Sequence, residues 1–186
     1  MEPSRETASS QKIGYVVIVD RGEEGYVGGY MYADECGVPI EFWHTAFSPV
    51  KADHLQELLY GKTLKPELFG RHIAGSLLGD DQGKSKPKPP VLLTKEEAIL
   101  CGLDIPGIAV MLIESVGPQP TVNDESTCRR IVTGTGDVVI RWRQENTAEV
   151  EQMIPKLRSI DVLEPFERIR VLLDELGGRG LEKGKG

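Results

Sequence analysis

A chain of 186 residues with 39% hydrophobic content is long enough to bury one sizeable core, so one domain is expected, with two closely packed halves as the variant. A formal net charge of −7 repels a phosphate backbone and disfavours nucleic-acid binding except through a local basic patch. No apolar run approaches the length of a membrane span, and MEPSRETASSQK has neither the basic region nor the apolar core of a signal peptide. Cys36, Cys101 and Cys128 are odd in number, widely spaced and in no CxxC pair, which points to a reducing cytoplasm rather than a disulfide framework.

Residues 1–11 are polar and expected to be disordered. The run KIGYVVIVD is too apolar to face water on either side and reads as a central strand. GYVGGYMYAD and VPIEFWHTAF follow after the short polar connectors RGEE and DECG, which predicts a three-stranded antiparallel meander. Ser48-Pro49 then opens a helix whose apolar stripe is Val50, Leu55, Leu58 and Leu59, ending at Gly61. A second helix starts at Pro66 with Leu68, Phe69, Ile73 and Leu77 inward. Residues 79–90, GDDQGKSKPKPP, read as a Lys/Pro linker.

The second half begins with the strand VLLT, a short helix from Lys95 to about Cys101, and the strand GIAVMLIES, a parallel strand–helix–strand pattern. After the loop VGPQPTVNDEST comes the hairpin RRIVTGTGDVVIRWR. Asn146 and Glu149 resemble a capping box for a helix reaching Ser159, kinked or broken at Pro155. A last amphipathic helix starts at Pro165, with Phe166, Ile169, Leu172, Leu173 and Leu176 on one face and Gly177-Gly178 as its stop. The expected organisation is thus an α/β or α+β domain over 12–176, one mixed sheet running through both halves, and a flexible tail at 177–186.

Glycine-rich GEEGYVGG follows a strand, yet it lacks the Gly-Lys-Ser/Thr ending, and Glu23 and Glu24 would oppose a phosphate. It reads as a turn entering a strand. Three antiparallel strands, a helix, then strand–helix–strand resembles the layout of ribonuclease-H-like folds. That resemblance implies a divalent-metal nuclease or phosphohydrolase with acids on the first strand, the first helix and the next strand. Asp20 and Glu57 take the first two positions, and Lys95 stands at the third unless Glu96 or Glu97 substitutes. Magnesium is implied under that reading alone, since two cations about 4 Å apart need several carboxylates. Cys36, His44, His54 and His72 match no zinc signature, and His44 reads as a packing residue with one ring hydrogen bond.

Two surfaces point to binding rather than catalysis. Pairing residue 134 with 137 sets Arg130 opposite Arg141 and diagonal to Arg143, beside Arg129 and Trp142. Such a cluster needs counter-charge, either internal (Asp124, Glu125, Glu145, Glu149) or from a phosphate, an acidic peptide or a strand stacking on the indole. In the second strand, alternation puts Tyr26, Gly28, Tyr30 and Tyr32 on one face, offered either to a partner protein or to an internal helix. No catalytic constellation is complete. The expected function is therefore a non-catalytic interaction or accessory subunit of a cytoplasmic complex, with a protein partner or a second copy, no membrane and no cofactor. The metal-dependent nuclease and an arginine-hairpin binder of phosphate or nucleic acid are the alternatives.

Overall fold

A computed structural model describes residues 11–79, 86–116 and 127–182 of the chain. Ile13–Asp20 (β1) opens with six consecutive buried residues and becomes the interior strand its composition predicts. Tyr26–Ala33 (β2) pairs antiparallel with it, and Pro39–His44 (β3) pairs antiparallel with β2, forming the meander. Val91–Thr94 (β4) lies parallel to β1, and Ala109–Ser115 (β5) parallel to β4. Cys128–Thr133 (β6) and Gly136–Trp142 (β7) form the hairpin, with β7 antiparallel to β5. The result is one mixed α/β sheet of order β3-β2-β1-β4-β5-β7-β6, joining the two halves as expected.

Helices cover both faces, so the protein is a three-layer sandwich. The described helices are His54–Tyr60 (α1), which lies outside both covering layers, a stretch α2 that is π-wound over Pro66–Ala74 and α-helical over Gly75–Leu78, Glu97–Gly102 (α3), Thr147–Leu157 (α4) and Glu164–Glu182 (α5). On one face, Tyr15, Val17, Met111, Ile140 and Trp142 pack with residues of α4 and α5, among them Met153, Leu157, Phe166 and Leu173. On the other, Val16, Ile18, Tyr30, Leu92 and Val110 meet Phe69, Ile73 and Leu77 of α2 and Ile99 of α3. Each such fully buried side chain contributes about 1.5–3 kcal/mol relative to exposure, so these two layers hold the fold. Helix α1 contributes none.

Several boundaries differ from the sequence-based reading. Helix α1 is opened not by Ser48-Pro49 but by Asp53. Its carboxylate accepts the Gln56 N–H at 2.8 Å, and the Gln56 side chain accepts the Asp53 N–H at 3.0 Å. This reciprocal cap outcompetes the proline signal. Val50, expected in the stripe, instead bridges Tyr26 of β2 through two backbone hydrogen bonds of 2.8 Å. Asn146 makes no side-chain cap. Thr147 takes up that end of α4, accepting the Trp142 indole N–H and donating to the Gln144 carbonyl, and α4 carries Pro155 within its last turn.

Gly177-Gly178 does not stop α5, which runs on to Glu182, so the expected tail is helical there. A glycine lowers helix stability by only about 1 kcal/mol, which a helix anchored on the core tolerates. Gly177 has its own reason. The Arg21 guanidinium lies across it to reach the Leu173 carbonyl, where a Cβ would stand 1.9 Å from Arg21 Nη1. The end of the predicted linker is packed rather than free: the Tyr30 hydroxyl donates to the Pro87 carbonyl at 3.1 Å, and Lys86 reaches Ser76. Residues 1–10 of the N-terminus expected to be disordered, the middle of the linker, most of the loop before β6 and the last four residues of the expected flexible tail lie outside the described residues.

Candidate functional site

Leu55, Leu58 and Leu59 are 75%, 68% and 79% exposed. They stand three and four residues apart, so they share one face of α1. No residue of α1 is buried, and its main contacts are with the 3₁₀ turn Gly61–Thr63 that follows. Isolated helices shorter than about 12–15 residues are marginal in water, so this seven-residue helix needs external support. The Asp53–Gln56 cap supplies part of it. The Val50–Tyr26 bridge and the Lys51 ammonium on the Glu23 carbonyl, 2.9 Å, pin its entry to the sheet. Gly61, at φ 50°, ends it. The chain therefore builds and holds a helix that presents leucines to water, forgoing about 1.5–3 kcal/mol for each. Grouped apolar exposure of that kind is uncommon on the surface of a monomer. Phe47, in the loop before α1, is also exposed, its ring edge-on to His44 at 5.2 Å.

The tyrosine strand does not offer a matching surface. Tyr30 is completely buried, stacked on Trp43 at 5.2 Å, and Tyr26 meets Phe69 edge-on at 4.8 Å. Tyr32 is half-buried against the same layer. Helix α2 covers this face, and Gly28 is what lets it approach: a Cβ there would lie 2.3 Å from Ile73. Tyr30 is thus removed from any interface, and the internal helix, not a partner, accounts for the aromatic face.

The arginine hairpin is neutralised from within. Its turn pairs Thr133 with Gly136, so Arg130 faces Val139 and Arg141 faces Cys128; the expected opposition of two arginines does not occur. The two-residue turn sits at Gly134-Thr135, one residue earlier than the expected Thr135-Gly136, which moves each cross-strand partner by two positions and spares like charges a directly opposed placement. Arg130 bonds Asp137, and Arg129 bonds Glu151 at 2.7 Å. Arg141 grips Glu114 through two nitrogens at 2.9 and 3.1 Å and reaches Glu97 at 3.2 Å. Arg143 caps the end of α3 by donating to the Leu100 and Leu103 carbonyls, with Glu145 at 3.9 Å. Of the counter-charges expected, only Glu145 takes part; Asp124 and Glu125 lie outside the described residues. Trp142 is 4% exposed, its indole N–H on Thr147 Oγ1 at 3.2 Å, and offers no ring for a base to stack on.

The acids of the ribonuclease-H-like layout are placed as follows. Asp20 sits exposed at the end of β1 with its carboxylate accepting the Gly22 N–H at 2.8 Å, a local turn contact. Glu57 lies on the exposed α1 beside His54, 3.9 Å away. Lys95 pairs with Glu167 at 3.3 Å over the Phe166 ring, and Glu97 belongs to Arg141. Glu96 alone enters a narrow hollow where β1 outruns β4, with Val17, Phe166 and Arg170. Burial pushes its carboxyl above the usual range, while Lys65 and Arg170 pull it down. Among the described residues, no three His, Cys, Asp or Glu side chains converge into a group that could hold a metal. His44 accepts the Ala46 N–H at 3.3 Å through Nδ1 and packs near Phe42 and Phe47; burial lowers its pKa.

A wider hollow lies between the β2–β3 turn and the α4–α5 connection, lined by Glu35, Cys36, Lys156 and Asp161. Its charges are met locally. Lys156 pairs with Glu35 at 3.5 Å, and Asp161 accepts the Leu163 and Glu164 N–H groups at 2.9 and 3.1 Å. No helix among the described residues is long and apolar enough to cross a membrane. No protein-family model matches the chain, and no curated protein matches its sequence. Among the described residues, Leu55, Leu58 and Leu59 form a group of exposed apolar side chains on one helix that belongs to neither core layer.

Proposed function

We propose that the protein is a non-catalytic subunit of a cytoplasmic assembly and that α1 is its docking element. The observation that carries this reading is the exposure of Leu55, Leu58 and Leu59 on a helix that is capped, anchored at its entry and excluded from both core layers. A rigid helix with apolar residues at such spacing is the form in which amphipathic helices enter partner grooves. The internally paired arginines and buried Trp142 support the same reading, since they leave the hairpin without a demand for phosphate. Exposed thiols at Cys36 and Cys101 suit a reducing compartment.

Native affinity capture of the wild-type chain beside a Leu55→Glu/Leu59→Glu variant tests the proposal. The wild type is expected to retain associated protein, its own copies included, and the variant to lose it. Hot-spot anchors of this size account for a hundredfold or so in affinity, so the difference is a presence or an absence. Equal recovery by both chains, or none by either, would remove α1 from the function.

A further inference from the structure

The hollow between the β2–β3 turn and the α4–α5 connection carries polar groups that the fold does not use up. Its volume is about 500 Å³, within the range of cavities that hold small molecules. Glu35 and Cys36 line it from the turn, and Lys156, Ser159, Ile160 and Asp161 line it from the other side. The Lys156 ammonium stands 3.5 Å from Glu35, where a tight charge-assisted bond would measure about 2.7–2.9 Å. This pair is loose, and both side chains are partly exposed. Asp161 receives the Leu163 and Glu164 N–H groups on Oδ1, with the Thr135 hydroxyl as a further donor. A carboxylate can accept about four such bonds, so one position remains.

A buried hydroxyl without a partner lies behind this lining. Tyr15 of β1 is completely buried, its ring edge-on to Phe166 at 5.6 Å. Its Oη has no hydrogen-bond partner among the described residues. Buried side-chain hydroxyls are paired in the large majority of cases, as Tyr30 is with the Pro87 carbonyl. Burial pushes the Tyr15 hydroxyl above the usual tyrosine range; Arg168 pulls it down, and Glu164, Asp161 and Asp34 raise it further. Asp161 lines the hollow and Asp34 adjoins Glu35, which puts the hydroxyl on the hollow's side of the core.

The lining selects the class of molecule that fits. A bare anion would face Glu35 and Asp161, a bare cation would face Lys156, and an apolar molecule would meet only Ile160. A small molecule carrying both charges meets each with its opposite. We propose that this hollow binds a free α-amino acid, its carboxylate on Lys156, its ammonium on Glu35 and Asp161, and its inner end bonded to the Tyr15 hydroxyl. The proposal does not depend on the docking role of α1.

Nuclear magnetic resonance titration of the isotope-labelled full chain tests it, using pools and then single members of the common L-amino acids. Ethylamine and acetate probe the two halves of the zwitterion separately. At least one amino acid is expected to bind with millimolar or tighter affinity and to shift the amides of residues 34–38 and 159–164. Neither half-probe should saturate at that concentration. Glu35→Gln and Lys156→Gln are each expected to weaken binding about tenfold, and their partial exposure leaves folding intact. Tyr15→Phe keeps the ring and removes only the unpaired hydroxyl. Without ligand it should melt at or above the wild type, yet bind the amino acid about threefold to tenfold more weakly. Three results would each overturn the proposal: no response to any amino acid at millimolar concentration, equal binding of acetate or ethylamine alone, or a Tyr15→Phe chain that melts lower and binds as well as the wild type.

Discussion

Replacing Gly102 with alanine is expected to lower the free energy of unfolding by about 3 kcal/mol or more, measured by chemical denaturation. Gly102 ends α3 where it crosses the start of α2, and a Cβ there would lie 2.0 Å from the Pro66 carbonyl oxygen and 2.6 Å from its carbon. Gly70 answers from the other side, its own Cβ position 2.4 Å from the Gly102 carbonyl carbon. Each obstruction is main chain, so no rotamer change relieves it, and the two helices must separate. Separation opens the layer of Phe69, Ile73, Leu77 and Ile99 over the sheet and strains the Arg143 cap on Leu100 and Leu103. Gly70→Ala is expected to have a similar effect. The double variant should lose less than the two losses added, because both push on one contact. A loss below about 1 kcal/mol for Gly102→Ala would mean that α2 and α3 are not so closely packed.

The second large effect concerns Trp142. Trp142→Ala is expected to destabilise by about 3–5 kcal/mol, the usual result of emptying a buried indole site. The ring fills the layer between β7 and α4, and its N–H fixes Thr147 at the start of α4. Trp142→Phe keeps most of the volume and should lose less than half as much. A ring used as a base-stacking platform behaves oppositely, giving normal melting and lost binding. Trp142→Ala that melts like the wild type would therefore reopen the hairpin as a nucleic-acid surface.

Much of the fold was legible in the sequence because periodicity and composition report burial directly. Ile13–Asp20 is apolar on both faces and lies inside the sheet with helices on each side. Leu68, Phe69, Ile73 and Leu77 repeat at helical spacing and are buried together. The parallel strand–helix–strand unit and the hairpin follow for the same reason. Other features depend on what arrives from elsewhere in the chain. The arginine register turned on a two-residue shift at Gly134-Thr135, and the counter-charges Glu97, Glu114 and Glu151 come from α3, β5 and α4. The run through Gly177-Gly178 reflects Arg21, which lies far away in sequence.

The candidate site was the least legible feature. An apolar stripe at Leu55, Leu58 and Leu59 reads the same whether it faces a core or a partner, and here α2, not α1, covers the sheet. Conversely, the tyrosines of β2 looked like an interface because exposure cannot be told from cover without knowing where α2 packs. The Asp53–Gln56 cap was a usable signal. It marks a helix made to form by local chemistry, independent of burial.

The claim that α1 is a contact surface and not part of the core is tested most directly by melting Leu55→Gln/Leu58→Gln/Leu59→Gln beside the wild type, below the concentration at which copies associate. Three exposed leucines predict a change in unfolding free energy within about 0.5 kcal/mol, since surface substitutions away from packed features rarely exceed that. A loss of several kcal/mol, as three core leucines would give, would contradict the account.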